Sequence, residues 1–236
     1  MKALILLIGE SFRAGGWLSR TRGDPSSYKE QKEACMSHIK FIEEANLDAE
    51  IMLVSYDTPY TQEMLEWYKP RLVKWKIFEG RAIGFDAVYR QAIDLVEDWD
   101  KYDFIHFFRI DLFLKPYFTE VFRVSDKITY SFVSDPLPLL ENFPRLNDMM
   151  LYVPKKHFAI LKKRIVILHD LWVWGVLQRC RITKDVAVYI DSIHDSNTQR
   201  CWNPLFRIVN RPESCTCNWE GWRTPGFWKH PVLIDE

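Results

Sequence analysis

Neither sign of charge predominates in this chain. Its 32 Lys and Arg are matched by 32 Asp and Glu over 236 residues, so no overall field recruits nucleic acid or an anionic surface, and any basic site must be local. There is no CxxC pair. Five cysteines, an odd number with only Cys215 and Cys217 close together, suit neither a disulfide framework nor a zinc site, and a reducing, cytoplasmic compartment is the simpler expectation. No GxGxxG or P-loop follows the first apolar run, and no repeat or low-complexity tract is present. Long lipid-like runs are missing too: between Arg164 and Arg179 the apolar stretch is divided by His169 and Asp170, well short of the roughly 18 continuous apolar residues that a membrane span needs. The opening MKALILLIGES carries no small-residue cleavage pattern and reads as a first β-strand, not a signal peptide, so a soluble protein is expected.

What the chain does have is core-forming material, with 47% hydrophobic residues, enough for one sizeable domain over 1–236. Strand and helix signals alternate through residues 1–135, which predicts βα units and a mostly parallel central sheet flanked by helices. ALILLIG is the first strand. Ser27 and Glu30 have capping-box spacing, and Cys35, Ile39 and Ile42 then recur at helical steps, predicting a helix from Tyr28 to Ala45. EIMLVSY is the second strand, closed by Asp57, Thr58 and Pro59 ahead of a short helix with Met64 and Leu65. RLVKWKIF alternates apolar with basic residues, as an edge strand does. Phe85, Val88, Tyr89, Ala92, Val96 and Trp99 mark a further helix. Beyond residue 135, DMMLYVP reads as a strand, as does KITYSFVS just before it, with a helical region between Lys155 and Arg181 and an irregular C-terminal tail, rich in Trp, Pro and Cys, that folds back over the sheet.

The segment YDFIHFFRIDLFLKP, Tyr102 to Pro116, sets two charges inside an apolar run. If Phe104 to Phe108 is a core strand, Arg109 and Asp111 fall at its carboxyl end, where open α/β sheets bind ligands. An Asp there suits a divalent cation bridging nucleotide phosphates, and Arg109 could pair with that Asp or with a phosphate oxygen. A plain Arg109–Asp111 salt bridge covering the end of the sheet is the alternative.

These residues resemble the YDxIxxxRxDL pattern of nucleotide-sugar-dependent glycosyltransferases with the GT-A fold. The N-terminal strand, the order of elements and NDMMLYVPKKHF extend the likeness over residues 1 to about 160, with a narrower similarity to small glycosyltransferases of large algal DNA viruses. The resemblance implies a nucleotide-sugar-binding half, 1–135, and an acceptor-side region with the tail, 136–236. It implies a strand-end acidic motif, DXD, holding Mn2+ or Mg2+ and the sugar-nucleotide diphosphate. Here Arg109 occupies the place of the first Asp, which leaves Asp111 as the main carboxylate on the metal, and His194 in DSIHD is the candidate late ligand. On the same plan Arg13, in GESFRAGG after the first strand, meets the diphosphate, while Tyr56 and Asp57 hold base and ribose. Each has an ordinary alternative: a flexible loop, a turn before Thr-Pro, a surface histidine.

Asp148 is the candidate base for an acceptor hydroxyl, or else a turn residue with Asn147. Lys155, Lys156, Lys162, Lys163 and Arg164 mark a solvated helix face, with peripheral membrane contact the alternative. Trp202, Trp219, Trp222 and Trp228 either stack on sugar rings or pack a lid. The expected activity is sugar transfer from a nucleotide diphosphate sugar to a glycan or glycoprotein acceptor. The alternatives are a nucleotidyltransferase, for which the loop after the first strand lacks the expected lysine, and a non-catalytic glycan-binding module.

Overall fold

The computed structural model describes residues 1–14, 21–80, 85–134, 145–146, 150–162, 187–191 and 205–209. Four parallel strands start the fold: β1 (Lys2–Ile8), β2 (Asp48–Tyr56), β3 (Leu72–Phe78) and β4 (Phe104–Arg109). Helices α1 (Tyr28–Glu44), α2 (Thr61–Tyr68) and α3 (Phe85–Asp94) connect them. β4 is followed at once by β5 (Leu112–Leu114) and α4 (Pro116–Val121), then β6 (Ile128–Ser134), the short β7 (Arg145–Leu146), β8 (Met150–Pro154), α5 (Phe158–Lys162), β9 (Ala187–Asp191) and β10 (Phe206–Ile208). The main sheet runs β3-β2-β1-β4-β8-β6-β7, with β9 on β6. Only β8 against its neighbours, and β7 on β6, pair antiparallel within it. The architecture is the mostly parallel, helix-flanked α/β sheet expected from the sequence.

The pleat sorts the core into two layers. Ala3, Ile5 and Leu7 of β1, with Phe104 and Phe108 of β4, face α1 and α2. Leu4, Leu6 and Ile8, with Ile105 and Phe107, face Val88, Tyr89 and Ala92 of α3. Both faces of β1 are therefore covered, which is why its sequence is continuously apolar rather than alternating. β3 lies at the edge, and its Trp75 is 53% exposed. The Tyr102-Asp103 pair works at the opposite end of β4 from the two charges: the Asp103 carboxylate accepts the Lys2 backbone N–H at 2.7 Å, and the Tyr102 hydroxyl donates to Glu50 at 2.6 Å. Half of the motif is thus a strap tying β4 to β1 and β2.

Two local expectations change. The capping box at Ser27 and Glu30 does not form, because Pro25 at the first position sets a 3-10 turn, Pro25–Ser27, and Asp24 caps it by accepting from Ser26 N–H at 2.9 Å. The Ser27 hydroxyl instead donates to the Asp24 carbonyl at 2.8 Å. The helix expected to reach Trp99 ends at Asp94, yet Val96 stays in the same core and Trp99 packs edge-on to Phe158 at 5.6 Å. The apolar period outlasts the helix because irregular chain carries it one turn further.

Part of the tail does fold back. β10 pairs antiparallel with β5, Phe206 opposite Leu114 and Ile208 opposite Leu112. Val209 N–H donates to the Asp111 carbonyl at 2.8 Å. Phe206 and Ile208 are buried in the α1-side core, so this segment closes the chain that follows Asp111.

Candidate functional site

Asp111 sits just past the carboxyl end of β4, beside β1, and it is 1% exposed. Its Oδ2 accepts from Arg13 Nη1 at 2.8 Å and from Arg109 Nη2 at 2.6 Å, and its Oδ1 accepts from Arg109 Nε at 2.9 Å. Arg109 grips the carboxylate with two N–H groups, a geometry that fixes both planes. Glu10 stands 3.5 Å from Arg13 Nε as a looser ion pair. Burying a carboxylate is expensive unless it is paired and fully bonded. Two guanidinium groups meet that requirement here.

The loop that delivers Arg13 is held, Ser11 apart, by residues that sequence reasoning passed over. Gly9 ends β1 at φ 112°, a conformation that side-chain-bearing residues rarely adopt. The Ser55 hydroxyl donates to the Gly9 carbonyl at 2.9 Å and lies 3.3 Å from the Ser11 hydroxyl. Phe12 has φ 52°, a strained setting for a bulky residue. Its ring is clamped 4.9 Å from Tyr60 and 6.0 Å from Tyr28. Gln31 of α1 completes the clamp: its Oε1 accepts from Phe12 N–H at 3.0 Å, and its Nε2 donates to the Ile110 carbonyl at 2.8 Å. One buried amide side chain therefore ties the loop carrying Arg13 to the strand end carrying Asp111. The signal available in sequence was a glutamine on the apolar side of a helix, one turn before Cys35.

The other proposed residues fall as follows. Tyr56 and Asp57 stand at the end of β2, on the same sheet edge as the cluster. Asp57 is exposed, whereas Tyr56 is 2% exposed and the Arg22 guanidinium lies over its ring at 4.6 Å. Arg22 also donates to the Gly80 carbonyl just past the end of β3. One face of the Tyr56 ring, the side chain expected to hold a base, is thus covered by a cation. Asp148 and His194 lie outside the described residues, as do Trp202, Trp219, Trp222 and Trp228. Met150, two positions after Asp148, pairs with Phe108, so β8 begins at the sheet edge where β4 ends.

Two buried histidines lie under this edge and are not part of it. Burial pushes His106 down to about 3 and His38 down to about 4, so both are neutral. His38 Nδ1 lies 2.7 Å from the Tyr68 hydroxyl, and His106 packs among Phe108, Phe118 and Phe122.

The described residues do not fit a divalent cation at Asp111. Hard cations take several anionic or neutral oxygens, but both oxygens of this carboxylate face guanidinium groups. Among the described residues no group of three or more His, Cys, Asp or Glu is placed to hold a metal.

No family model and no curated protein matches the sequence. Solved structures superpose on it at low identity. The catalytic domain of Drosophila β1,4-galactosyltransferase 7, solved with xylobiose, matches at 10% identity and a TM-score of 0.49, covering 99% of this chain and 83% of its own. A glycosyltransferase involved in glycosylation of the major capsid of PBCV-1 matches at 10% identity and 0.45, covering 88% and 92%. The inositol-1-phosphate CTP transferase from T. maritima matches at 15% identity and 0.46, covering 90% of each chain. Sugar transfer and nucleotidyl transfer are both represented, and at these similarities neither activity passes to this chain.

Proposed function

We propose that this protein is a glycosyltransferase that moves a sugar from a nucleotide diphosphate sugar to a carbohydrate acceptor. The observation that carries this reading is the buried Arg13–Asp111–Arg109 cluster at the carboxyl ends of β1 and β4. In a parallel α/β sheet that edge is the ligand crevice. Bidentate, rigidly held guanidinium groups suit phosphate oxygens better than any other side chain does.

In the transfer, an acceptor hydroxyl oxygen forms the new bond to the anomeric carbon while the bond from that carbon to the diphosphate oxygen breaks, and the electron pair leaves with the diphosphate. Charge growing on that leaving group is the quantity the site must stabilise, and preorganised donors do this at little reorganisation cost. Arg13 and Arg109 take this role, and Asp111 holds them in place. Asp57, exposed at the end of β2, is assigned to the ribose hydroxyls. Asp148 is assigned to the acceptor proton, since β8 starts beside the end of β4. Manganese or magnesium would have to be held by Asp111 together with residues outside the described ones, His194 among them, and Asp111 would first have to release a guanidinium.

The test is calorimetric titration of the full chain with UDP, GDP, CDP and ADP, followed by turnover of the corresponding nucleotide sugars. Binding of one nucleoside diphosphate, with release of that diphosphate from its sugar, supports the proposal. A lack of binding by all four at millimolar concentration refutes it. Turnover of a nucleoside triphosphate with a sugar phosphate, instead of a nucleotide sugar, would replace it with nucleotidyl transfer.

A further inference from the structure

We infer that the site handles its anionic ligand without a divalent cation, with Arg109 taking the electrostatic place that a metal ion holds in sites built on two strand-end carboxylates. The ligand's identity as a diphosphate rests on the function proposed above; the exclusion of metal rests on geometry alone.

Asp111 is already committed to other partners. A divalent cation binds a carboxylate oxygen at about 2.0–2.6 Å. Oδ2 has guanidinium nitrogens at 2.8 and 2.6 Å, and Oδ1 has one at 2.9 Å. Binding a metal on either oxygen sets its double charge within a few ångströms of two single positive charges, in a pocket where Asp111 is 1% exposed and water screens little. The Glu10 carboxylate, also at the cluster, is itself engaged with Arg13. Arg109 cannot swing aside cheaply, because doing so breaks both of its N–H bonds to a carboxylate that is 1% exposed.

Guanidinium groups retain positive charge at any working pH. The Asp111 carboxylate therefore works as an anchor that aims two cations, not as a ligand. On this wiring, replacing Arg109 by a carboxylate converts the site: Arg109→Asp places two strand-end carboxylates two residues apart and removes the guanidinium that spans both oxygens of Asp111.

The experiment uses the full chain and two independent readouts. Manganese alone is titrated into wild type and Arg109→Asp and followed by electron paramagnetic resonance. UDP and GDP are titrated calorimetrically in EDTA and again in manganese. Wild type is expected to leave the free manganese signal undiminished, and its nucleoside diphosphate affinity should agree within about twofold between the two conditions. Arg109→Asp is expected to take up manganese. Uptake by wild type of one manganese per chain tighter than about 100 μM overturns the inference, as does a gain of about tenfold or more in diphosphate affinity on adding manganese. If neither of these two diphosphates binds in either condition, the affinity comparison passes to CDP and ADP; the donor reading fails when all four are silent, and the manganese titration decides the metal in every case. If Arg109→Asp does not fold, the wild-type titrations decide between the two outcomes by themselves.

Discussion

Arg13 and Asp111, 98 positions apart in sequence, meet at 2.8 Å beneath the surface, and that contact joins the loop after β1 to the end of β4. Neutralising Asp111 takes the shared carboxylate from two guanidinium groups that are 8% and 13% exposed at their side chains. Breaking one side of a buried pair costs about 3–5 kcal/mol. Asp111→Asn should therefore lower the unfolding free energy by roughly 3 kcal/mol, read as a lower urea midpoint at unchanged slope. A variant as stable as wild type would mean that Asp111 is not the anchor described here.

Gln31 offers a separate test of the same scaffold, because its side chain bonds to the backbone on either side of the cluster. Gln31→Leu keeps the volume and leaves Phe12 N–H and the Ile110 carbonyl without their amide partner. Each buried orphan costs about 1–3 kcal/mol. The expected result is a loss of roughly 2–4 kcal/mol together with weaker nucleoside diphosphate binding, since the loop at Phe12 with φ 52° loses its clamp. If stability falls and binding does not, Gln31 serves the fold and not the site.

The sequence made the strands legible wherever both sheet faces are covered. LILLI reads as a buried strand, and β2 and β4 follow the same rule. It also placed Arg109 and Asp111 at a strand end, because charges inside an apolar run have few other places to go. It could not show that Arg13 would complete the cluster, as that depends on a strained Phe12 whose ring is held by Tyr28 and Tyr60 from two other elements. Nor could it show Arg22 over Tyr56. β10 was equally hidden: FRI is three residues long and owes its strand geometry to pairing with β5, and local propensity carries no such information.

Asp57 separates recognition from stability. It is exposed at the end of β2, with its backbone N–H bonded to the Phe78 carbonyl at 2.8 Å. Asp57→Ala should leave the melting temperature within about two degrees, since surface changes usually fall within about 0.5 kcal/mol. Loss of a hydrogen bond between this carboxylate and a ribose hydroxyl should weaken nucleoside diphosphate binding about tenfold. The calorimetric titration checks both the donor reading and this assignment, because a variant that binds as wild type does removes Asp57 from the site.

The buried histidines set the acid limit of the fold. His38 and His106 have folded values pushed down to about 4 and about 3 by burial, from an ordinary 6.5. The neutral form is the one the fold accepts, so the unfolded chain takes up protons first as pH falls. Their contribution is fully present above the unfolded value near 6.5 and is lost progressively below it, down to the folded values. Each histidine can cost up to about 1.4 kcal/mol per pH unit in that window. Glu50 acts lower. Burial pushes its carboxyl upward, but bonds from Lys101, Tyr102 and Lys2 outweigh this and hold it at about 2, below an ordinary 4.5, so its contribution is present above 4.5 and is lost as pH falls towards 2. Urea unfolding at pH 7, 6, 5 and 4 should show stability dropping from about pH 6, before any carboxylate of ordinary value protonates. Replacing His106 by Leu removes one proton-binding group from the unfolded chain and keeps an apolar side chain among Phe108, Phe118 and Phe122. The variant's stability should then fall less steeply between about pH 6 and 4 by up to about 1.4 kcal/mol per unit, whatever its stability at neutral pH. Parallel curves for variant and wild type would show that His106 is protonated as readily in the fold as out of it, and the reading of a neutral, desolvated ring under the site edge would be wrong.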